Sequence, residues 1–234
     1  MLKFYYLLNP FVKKKYETQK CAHRCPTVNV EKASSICLSK VPVIKTIRFP
    51  YLKKMENLSP NLDIYTIFLV RDPRGVFNSR AKIYLDEKRT KFSKRSRTQL
   101  IKDINLMCVN INKMLVDLKS TKNVLLIRYE DIAMNSTAYA TRIFDFVKMN
   151  FESSIENWVK TQLELDNDGA NGNRFTTNKN PTQVALRWRE EISLEDVQKI
   201  QELVPCQKAM ASLGYLNVEK ISNTSVVLER PLTV

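Results

Sequence analysis

The chain has 234 residues, of which 44% are hydrophobic and 26% are charged, with only 4 Gly and 9 Pro. This composition excludes a collagenous or linker-like protein, and it supplies enough apolar side chains for one domain or most of one. Lys and Arg outnumber Asp and Glu by 38 to 24, which gives a formal net charge of +14. Such a charge favours anionic partners, among them nucleotides, nucleic acids, sulfated glycans and anionic lipids, without selecting one of them.

The ends of the chain differ in pattern from its middle. Residues 1–40 lack a regular periodicity and are interpreted as an irregular segment, and residues 219–234 as a tail. The apolar run Leu2–Val12 is much shorter than the ~20 residues that cross a bilayer, and it has no small-residue cleavage site. We therefore expect no membrane anchor or signal peptide in this chain and a folded domain over residues 41–218.

Three runs of apolar and β-branched residues predict strands. Ile64–Val70 is almost continuously apolar, as expected of a strand that is covered on both faces in a parallel sheet. Val124–Ile127 predicts a second buried strand, and Val41–Arg48 predicts a third strand. Because helical patterns alternate with these runs, the sequence indicates an α/β fold with a mainly parallel sheet, whose ligands bind beyond the carboxyl ends of the strands.

The helical patterns have recognisable starts and faces. Pro50 can open a helix that reaches Leu58, and Asp72 followed by Pro73 predicts a helix that begins directly after the first long strand. Further helices are predicted near residues 139–147 and 155–163, followed by a polar loop at 166–180. The clearest apolar stripe repeats at steps of three and four and predicts a long helix carrying Ile101, Ile104, Cys108, Ile111, Leu115 and Leu118.

The last predicted helix has a capping pattern at its start. Ser193 with Asp196 three residues later resembles a capping box, and apolar residues follow at helical spacing. Pro205 is expected to kink this helix, because proline removes an internal hydrogen bond. A disulfide is also predicted between Cys108 on the long helix and Cys206 near the apolar face of this last helix, with two buried free thiols as the alternative.

One segment places two phosphate-binding side chain types together. Arg71 stands at the end of a predicted strand, and Ser79 lies two turns into the helix that follows. The partial positive charge of the helix N-terminus favours an anion at the same place, and Arg and Ser suit a phosphate monoester. The alternative is that Arg71 pairs with Asp72 or Glu87 and that Ser79 is an incidental hydroxyl.

Residues 71–79, Arg-Asp-Pro-Arg-Gly-Val-Phe-Asn-Ser, resemble the 3′-phosphate-binding segment of the Golgi carbohydrate 6-O-sulfotransferases, which act on galactose, N-acetylglucosamine or N-acetylgalactosamine. Residues 44–48 and 127–132 are similar to two further landmarks of that family. Trp188-Arg189 and residues 206–215 fit its C-terminal region. The resemblance extends from about Val41 to Leu216 and implies a sulfotransferase fold of the P-loop-NTPase type, with a parallel sheet flanked by helices.

The resemblance implies a role for each candidate binding residue. Arg71 and Ser79 bind the 3′-phosphate of 3′-phosphoadenosine 5′-phosphosulfate, Tyr129 lies near the adenine, and Arg187 and Arg189 close over the nucleotide. Two alternatives stay open. Tyr129 fits equally a half-buried tyrosine that satisfies a loop. The two arginines fit equally surface cations beside a packed tryptophan.

The family also implies a reaction and a location. The expected function is transfer of a sulfonate to a sugar hydroxyl, at the 6-position, of a glycan on a glycoprotein or proteoglycan. This takes place in the Golgi lumen, with a membrane anchor in the full-length form, and without a metal or a nucleic acid. The family's strand-loop-helix for the 5′-phosphosulfate is not recognisable in this sequence, so a catalytic base is not assigned. We expect a partial domain that is inactive alone.

A non-catalytic function is the alternative. The basic run Lys88–Arg97 suits a module that holds a sulfated glycan or nucleic acid, although a solvated loop explains such a run as well. A nucleotide kinase is a weaker alternative, because the phosphate-binding loop Gly-x-x-x-x-Gly-Lys-Ser/Thr does not occur. Three glycosylation sequons begin at Asn57, Asn135 and Asn223, and they predict a secretory-pathway protein.

Overall fold

The computed structural model describes residues 41–47, 51–56, 63–85, 95–164 and 180–219, with side chains placed for all but 55–56 and 162–164. The chain divides into two units, Met1–Arg48 and Phe49–Val234. The segment 1–40, most of the predicted tail and the predicted loop 166–179 lie outside the described residues. Within the described part of the chain, no helix is both long and apolar enough to cross a membrane.

In the first unit, the strand predicted at Val41–Arg48 is wrong over its described residues. Residues 41–47 form neither strand nor helix, and all seven side chains are exposed. Val43, for example, is 89% exposed. A strand requires a neighbouring strand that pairs with its backbone groups, and a β-rich composition does not supply that partner. Arg48 lies outside the described residues.

The described part of the second unit contains two strands and ten helices in an α/β arrangement, as predicted. The strands are β1 Thr66–Val70 and β2 Val124–Arg128. The helices in chain order are α1 Leu52–Glu56, α2 Pro73–Tyr84, α3 Arg97–Leu118, α4 Tyr129–Met134, α5 Ser136–Phe146, α6 Ser153–Glu164, α7 Pro181–Leu186, α8 Trp188–Glu191, α9 Leu194–Glu202 and α10 Val204–Ser212.

The two strands pair in parallel, and their carboxyl ends meet at one edge of the sheet. Val70 is the register partner of Arg128. Strand β2 is buried from Leu125 onward, but β1 is covered on one face only, since Ile67 is 42% and Leu69 is 53% exposed. Successive side chains of a strand point to opposite faces, so the expectation that both faces of β1 are covered is wrong for the described structure.

Helix α3 forms the centre of the core, as its apolar stripe predicts. Leu100, Ile104 and Cys108 are completely buried, and α3 packs against α2 and α10. The helix begins four residues before the predicted stripe, because the Ser96 side chain caps it by accepting from the Gln99 N–H at 3.1 Å. This core supports the carboxyl edge of the sheet from one side.

The predicted disulfide between Cys108 and Cys206 is confirmed. It joins α3 to α10 with a Cα–Cα distance of 4.9 Å, and both residues are completely buried. This separation lies within the range that a disulfide can bridge without moving the backbone. The bridge closes a loop between residues 98 positions apart in the chain.

Proline has a stronger effect on the last helix than predicted. Ser193 caps α9 as expected, accepting from the Asp196 N–H at 3.2 Å. Instead of one kinked helix, the chain forms two, with Leu203 extended between them and Pro205 in the first turn of α10. Proline disfavours helical geometry in the residue before it and fits the first turn of a new helix, which accounts for the break.

Candidate functional site

The parallel register brings Arg71 and Tyr129 together. Each is the first residue after its strand, and the guanidinium carbon of Arg71 lies 4.6 Å from the centre of the Tyr129 ring. The Nη2 of Arg71 also donates to the carbonyl oxygen of Val184 on α7 at 3.1 Å. Two residues 58 positions apart in sequence thus form one cation–π pair at the carboxyl edge of the sheet.

Arg71 keeps an unused donor at this edge. Its Nε is buried and has no hydrogen-bond partner among the described residues. Asp72 pairs with Arg74 at 2.7 Å, so the alternative in which Arg71 pairs with Asp72 is wrong. Glu87 lies outside the described residues. A buried donor without a partner costs free energy, and an incoming anion can satisfy it.

Helix α2 lies close to the Arg71 side chain at Gly75. A Cβ atom placed on Gly75 would lie 3.1 Å from Cδ1 of Trp188 and 3.3 Å from Nε of Arg71, so glycine allows both side chains to lie close to the helix. Ser79 is exposed and lies one turn beyond Gly75 on the same side of α2. The hydroxyl predicted to bind phosphate is therefore on the helix face along which Arg71 runs.

Arg187 and Arg189 lie on the helical segment across from α2. Glu191 links this segment to α2 by accepting from Nδ2 of Asn78 at 2.7 Å and by an ion pair with Lys82. Nε of Arg187 is 4.0 Å from the same carboxylate, and the guanidinium of Arg189 lies 5.0 Å from the Trp188 ring. Both arginines are half-buried beside the packed tryptophan.

A fully buried arginine, Arg74, supports the site from the protein interior. It makes a two-pronged pair with Asp72 and stacks on Trp188 at 4.5 Å. Its Nη1 donates to Oε1 of Gln201 at 2.7 Å and to the carbonyl oxygen of Leu216 at 2.9 Å. Arg74 thus connects the end of β1 to helix α9 and to the segment after α10.

A second network of buried side chains involves the residues on either side of Tyr129. Arg128 forms an ion pair with Asp131 at 2.7 Å and donates to the carbonyl oxygen of Leu213 at 2.9 Å. Glu130 is completely buried, and its carboxylate accepts from the Asp72 N–H and from the Tyr215 hydroxyl. Two buried arginines and one buried glutamate therefore fasten the strand ends to the C-terminal segment.

Burial changes the ionisation of the residues around Tyr129. Burial, and secondarily the Asp72 carboxylate, raise the pKa of Glu130 above its usual value, while hydrogen bonds from Tyr215 and Asp72 oppose this rise. Burial also raises the pKa of Tyr129, although the charge of Arg71 partly offsets the effect. Tyr129 is thus a neutral phenol at physiological pH, which suits it for stacking rather than for proton transfer.

The sequence analysis missed three buried residues that hold the site. Arg74, Glu130 and Tyr215 each lie within or beside a segment that the resemblance covers, but nothing in the sequence identifies their partners. The available signal was position, because Arg74 and Glu130 each lie within four residues of the end of a predicted strand. The helix α4, which begins at Tyr129, was also missed, since its six residues make fewer than two turns and are too few for a repeating apolar pattern.

The basic run is partly neutralised where the structure describes it. Arg95 pairs with Asp103 and lies 4.8 Å from the centre of the Tyr84 ring, while Arg97 pairs with Asp196. Residues 86–94 lie outside the described residues. Cations that are bound to carboxylates of the same chain are less available to a polyanion, so the described end of the run does not favour that function.

The chain belongs to the sulfotransferase domain family, whose match covers residues 31–214. Among relatives, it is similar to carbohydrate sulfotransferase 1 of Danio rerio, with 26% identity over 89% of this chain and 53% of the relative. Carbohydrate sulfotransferase 3 of Homo sapiens is 28% identical over 94% of this chain and 49% of its own length. Carbohydrate sulfotransferase 4 of Mus musculus is 30% identical over 75% and 48%.

The chain thus spans about half the length of the curated relatives that it matches. No solved structure gives a significant match to it. The family and the α/β fold expected from the sequence are confirmed.

Proposed function

We propose that this chain carries the nucleotide-binding part of a carbohydrate sulfotransferase and binds the 3′-phosphoadenosine end of 3′-phosphoadenosine 5′-phosphosulfate. The observation that carries this proposal is the arginine at the carboxyl edge of the sheet. Arg71 is stacked on Tyr129, has no acidic partner among the described residues, and holds a buried Nε without a hydrogen bond. A guanidinium in this arrangement can donate a hydrogen bond to an anionic ligand.

Each site residue has a proposed role. Arg71 donates to the 3′-phosphate, and Ser79 adds a hydroxyl donor from the same face of α2. The N-terminus of this twelve-residue helix adds a partial positive charge. Tyr129 lies beside the adenine, and Arg187 and Arg189 cover the nucleotide from the opposite segment. All five residues act on the nucleotide, whereas the sulfonate and the acceptor hydroxyl require further donors and a base.

The acceptor is proposed from the relatives and the family resemblance. The relatives are named carbohydrate sulfotransferases, which supports a sugar hydroxyl of a glycan as the acceptor. The resemblance to 6-O-sulfotransferases supports the 6-position, on a glycoprotein or proteoglycan. In this reaction the sulfonate leaves the donor phosphate and forms an ester with the sugar oxygen, whose proton passes to a base.

A Golgi location is proposed from two features of the chain. The Cys108–Cys206 bridge suits an oxidising compartment. Of the three sequons, Asn57 and Asn223 lie outside the described residues. Asn135 is exposed, and it caps α5 by accepting from the Ala138 N–H at 3.2 Å through its Oδ1, so its Nδ2 is not required for the cap. These features support passage of the protein through the secretory pathway.

The proposal is tested by calorimetric titration with adenosine 3′,5′-bisphosphate. Arg71→Ala is expected to weaken binding about 10- to 100-fold, because a hydrogen bond from a charged donor contributes about 1.5–3 kcal/mol. Ser79→Ala is expected to cost about 2- to 10-fold, because its hydroxyl is a neutral donor. Circular dichroism should show that both variants keep the fold.

Arg142→Ala is the matched control. Arg142 is an exposed arginine that also lies near a tyrosine ring, 5.9 Å from the centre of Tyr139, but on α5 rather than at the edge of the sheet. Its replacement is expected to leave nucleotide affinity unchanged. Equal affinities of Arg71→Ala and Arg142→Ala would remove the assignment of the 3′-phosphate site.

A further inference from the structure

The Glu130 carboxylate links the two segments that follow β1 and β2 at the proposed nucleotide site. Glu130 follows Tyr129, and its Oε1 accepts from the backbone N–H of Asp72, which follows Arg71, at 3.1 Å. The side chain of Glu130, in the segment after β2, therefore holds the backbone of Asp72, in the segment after β1. Each of these residues lies one position beyond a member of the cation–π pair.

Tyr215 fixes the second oxygen of this carboxylate. Its hydroxyl donates to Oε2 of Glu130 at 2.8 Å, and the residue is only 4% exposed. The backbone around Tyr215 is itself restrained, because its N–H donates to the carbonyl oxygen of Met210 at 2.9 Å and Gly214 adopts a φ of 76°. With both oxygens held by different elements, the carboxylate has one defined orientation.

Among the described residues, Glu130 has no ion-pair partner. Glu130 is completely buried, and the two nearby buried arginines are each paired with another acid, Arg74 with Asp72 and Arg128 with Asp131. Burial of a carboxylate without a cation of its own costs free energy even when it is hydrogen-bonded. The geometry therefore suits a residue whose hydrogen bonds orient the neighbouring site.

We propose that Glu130 and Tyr215 are positioning residues that hold Arg71 against Tyr129 in the orientation that the nucleotide 3′-phosphate requires. This inference rests on the proposed function, because it assigns these residues to the same site. Neither residue touches the nucleotide. Their action passes through the backbone of Asp72 on one side and through the chain connection to Tyr129 on the other.

The test replaces single groups and follows Arg71 directly. Tyr215→Phe removes only the hydroxyl and is expected to weaken adenosine 3′,5′-bisphosphate binding about 2- to 10-fold, as for a neutral hydrogen bond. In ¹⁵N-arginine-labelled protein, the Arg71 Nε–H resonance should move towards the position of an unstacked arginine, because the Tyr129 ring no longer lies in contact with the guanidinium. Glu130→Ala should give both effects.

Glu130→Gln serves as the conservative rescue. Its amide oxygen can accept from the Asp72 N–H, and its NH₂ group can donate to the Tyr215 hydroxyl with that bond reversed. It should therefore keep the Arg71 resonance and near-native affinity. Tyr139→Phe is the matched control, because the Tyr139 hydroxyl also lies near a carboxylate, that of Asp131, which accepts from Arg128 and not from the backbone of Asp72.

The outcomes separate this inference from the proposed function. Loss of binding in Arg71→Ala, with wild-type affinity and an unmoved Arg71 resonance in Tyr215→Phe and Glu130→Ala, would overturn the positioning role alone. Wild-type binding in Arg71→Ala would overturn the proposed function, and this inference with it. If Glu130→Ala does not fold, Tyr215→Phe carries the same comparison.

Discussion

Arg74→Ala is expected to lower the free energy of unfolding by about 3–5 kcal/mol. The change leaves the completely buried carboxylate of Asp72 without its cation, and breaking a buried ion pair from one side costs this much. It also removes the hydrogen bonds to Gln201 and Leu216 and the packing on Trp188. Urea unfolding followed by circular dichroism measures the loss.

Arg95→Ala is a matched control for this prediction. Arg95 also pairs with an acid, Asp103, and also stacks on an aromatic ring, that of Tyr84. Its side chain is 33% exposed, however, whereas that of Arg74 is 1% exposed. We expect a loss of about 1 kcal/mol or less, because solvent screens a partly exposed pair. Equal losses in the two variants would contradict the view that Arg74 supports the site from a dry interior.

Replacing both Cys108 and Cys206 with alanine is expected to cost about 2–5 kcal/mol of unfolding free energy. The bridge joins residues 98 positions apart, and in the chain-entropy account a closed loop of this size restricts the unfolded chain strongly. The lost packing of two fully buried sulfur atoms adds to the effect. Chemical unfolding of the oxidised wild type and of the double variant measures the difference.

The response to reductant provides the control for the disulfide. The wild type should lose most of this stability when it is unfolded in dithiothreitol, and the double variant should show no change. A wild type that is equally stable with and without the reductant would show that the bridge contributes nothing. Such a result would also withdraw part of the support for an oxidising compartment.

The sequence predicted those features that depend on local pattern. The apolar run that became β1, the stripe of α3 and the cap at Ser193 each follow from residues close together in the chain. The Arg71–Tyr129 contact was not predicted, although the resemblance assigned both residues to one nucleotide. The disulfide was predicted from the position of each cysteine on an apolar helix face.

Features that depend on a distant partner were not predictable. The burial of Arg74 was not predictable, because its partners Gln201 and Leu216 lie more than a hundred residues away. Glu130 is interpretable only when Asp72 and Tyr215 are known to converge on it. The open face of β1 reflects coverage by other elements, which a single strand's composition does not determine.

Calorimetric titration of the unmodified chain with adenosine 3′,5′-bisphosphate and with 5′-AMP, each at low and high salt, tests the central claim most directly. Because Arg71 is proposed to bind the 3′-phosphate, the bisphosphate should bind at least about tenfold more tightly, in keeping with a charge-assisted bond. This preference should persist at high salt. Equal binding of the two nucleotides, with affinities that fall together as salt rises, would instead indicate attraction of phosphate to a basic surface and would contradict the account.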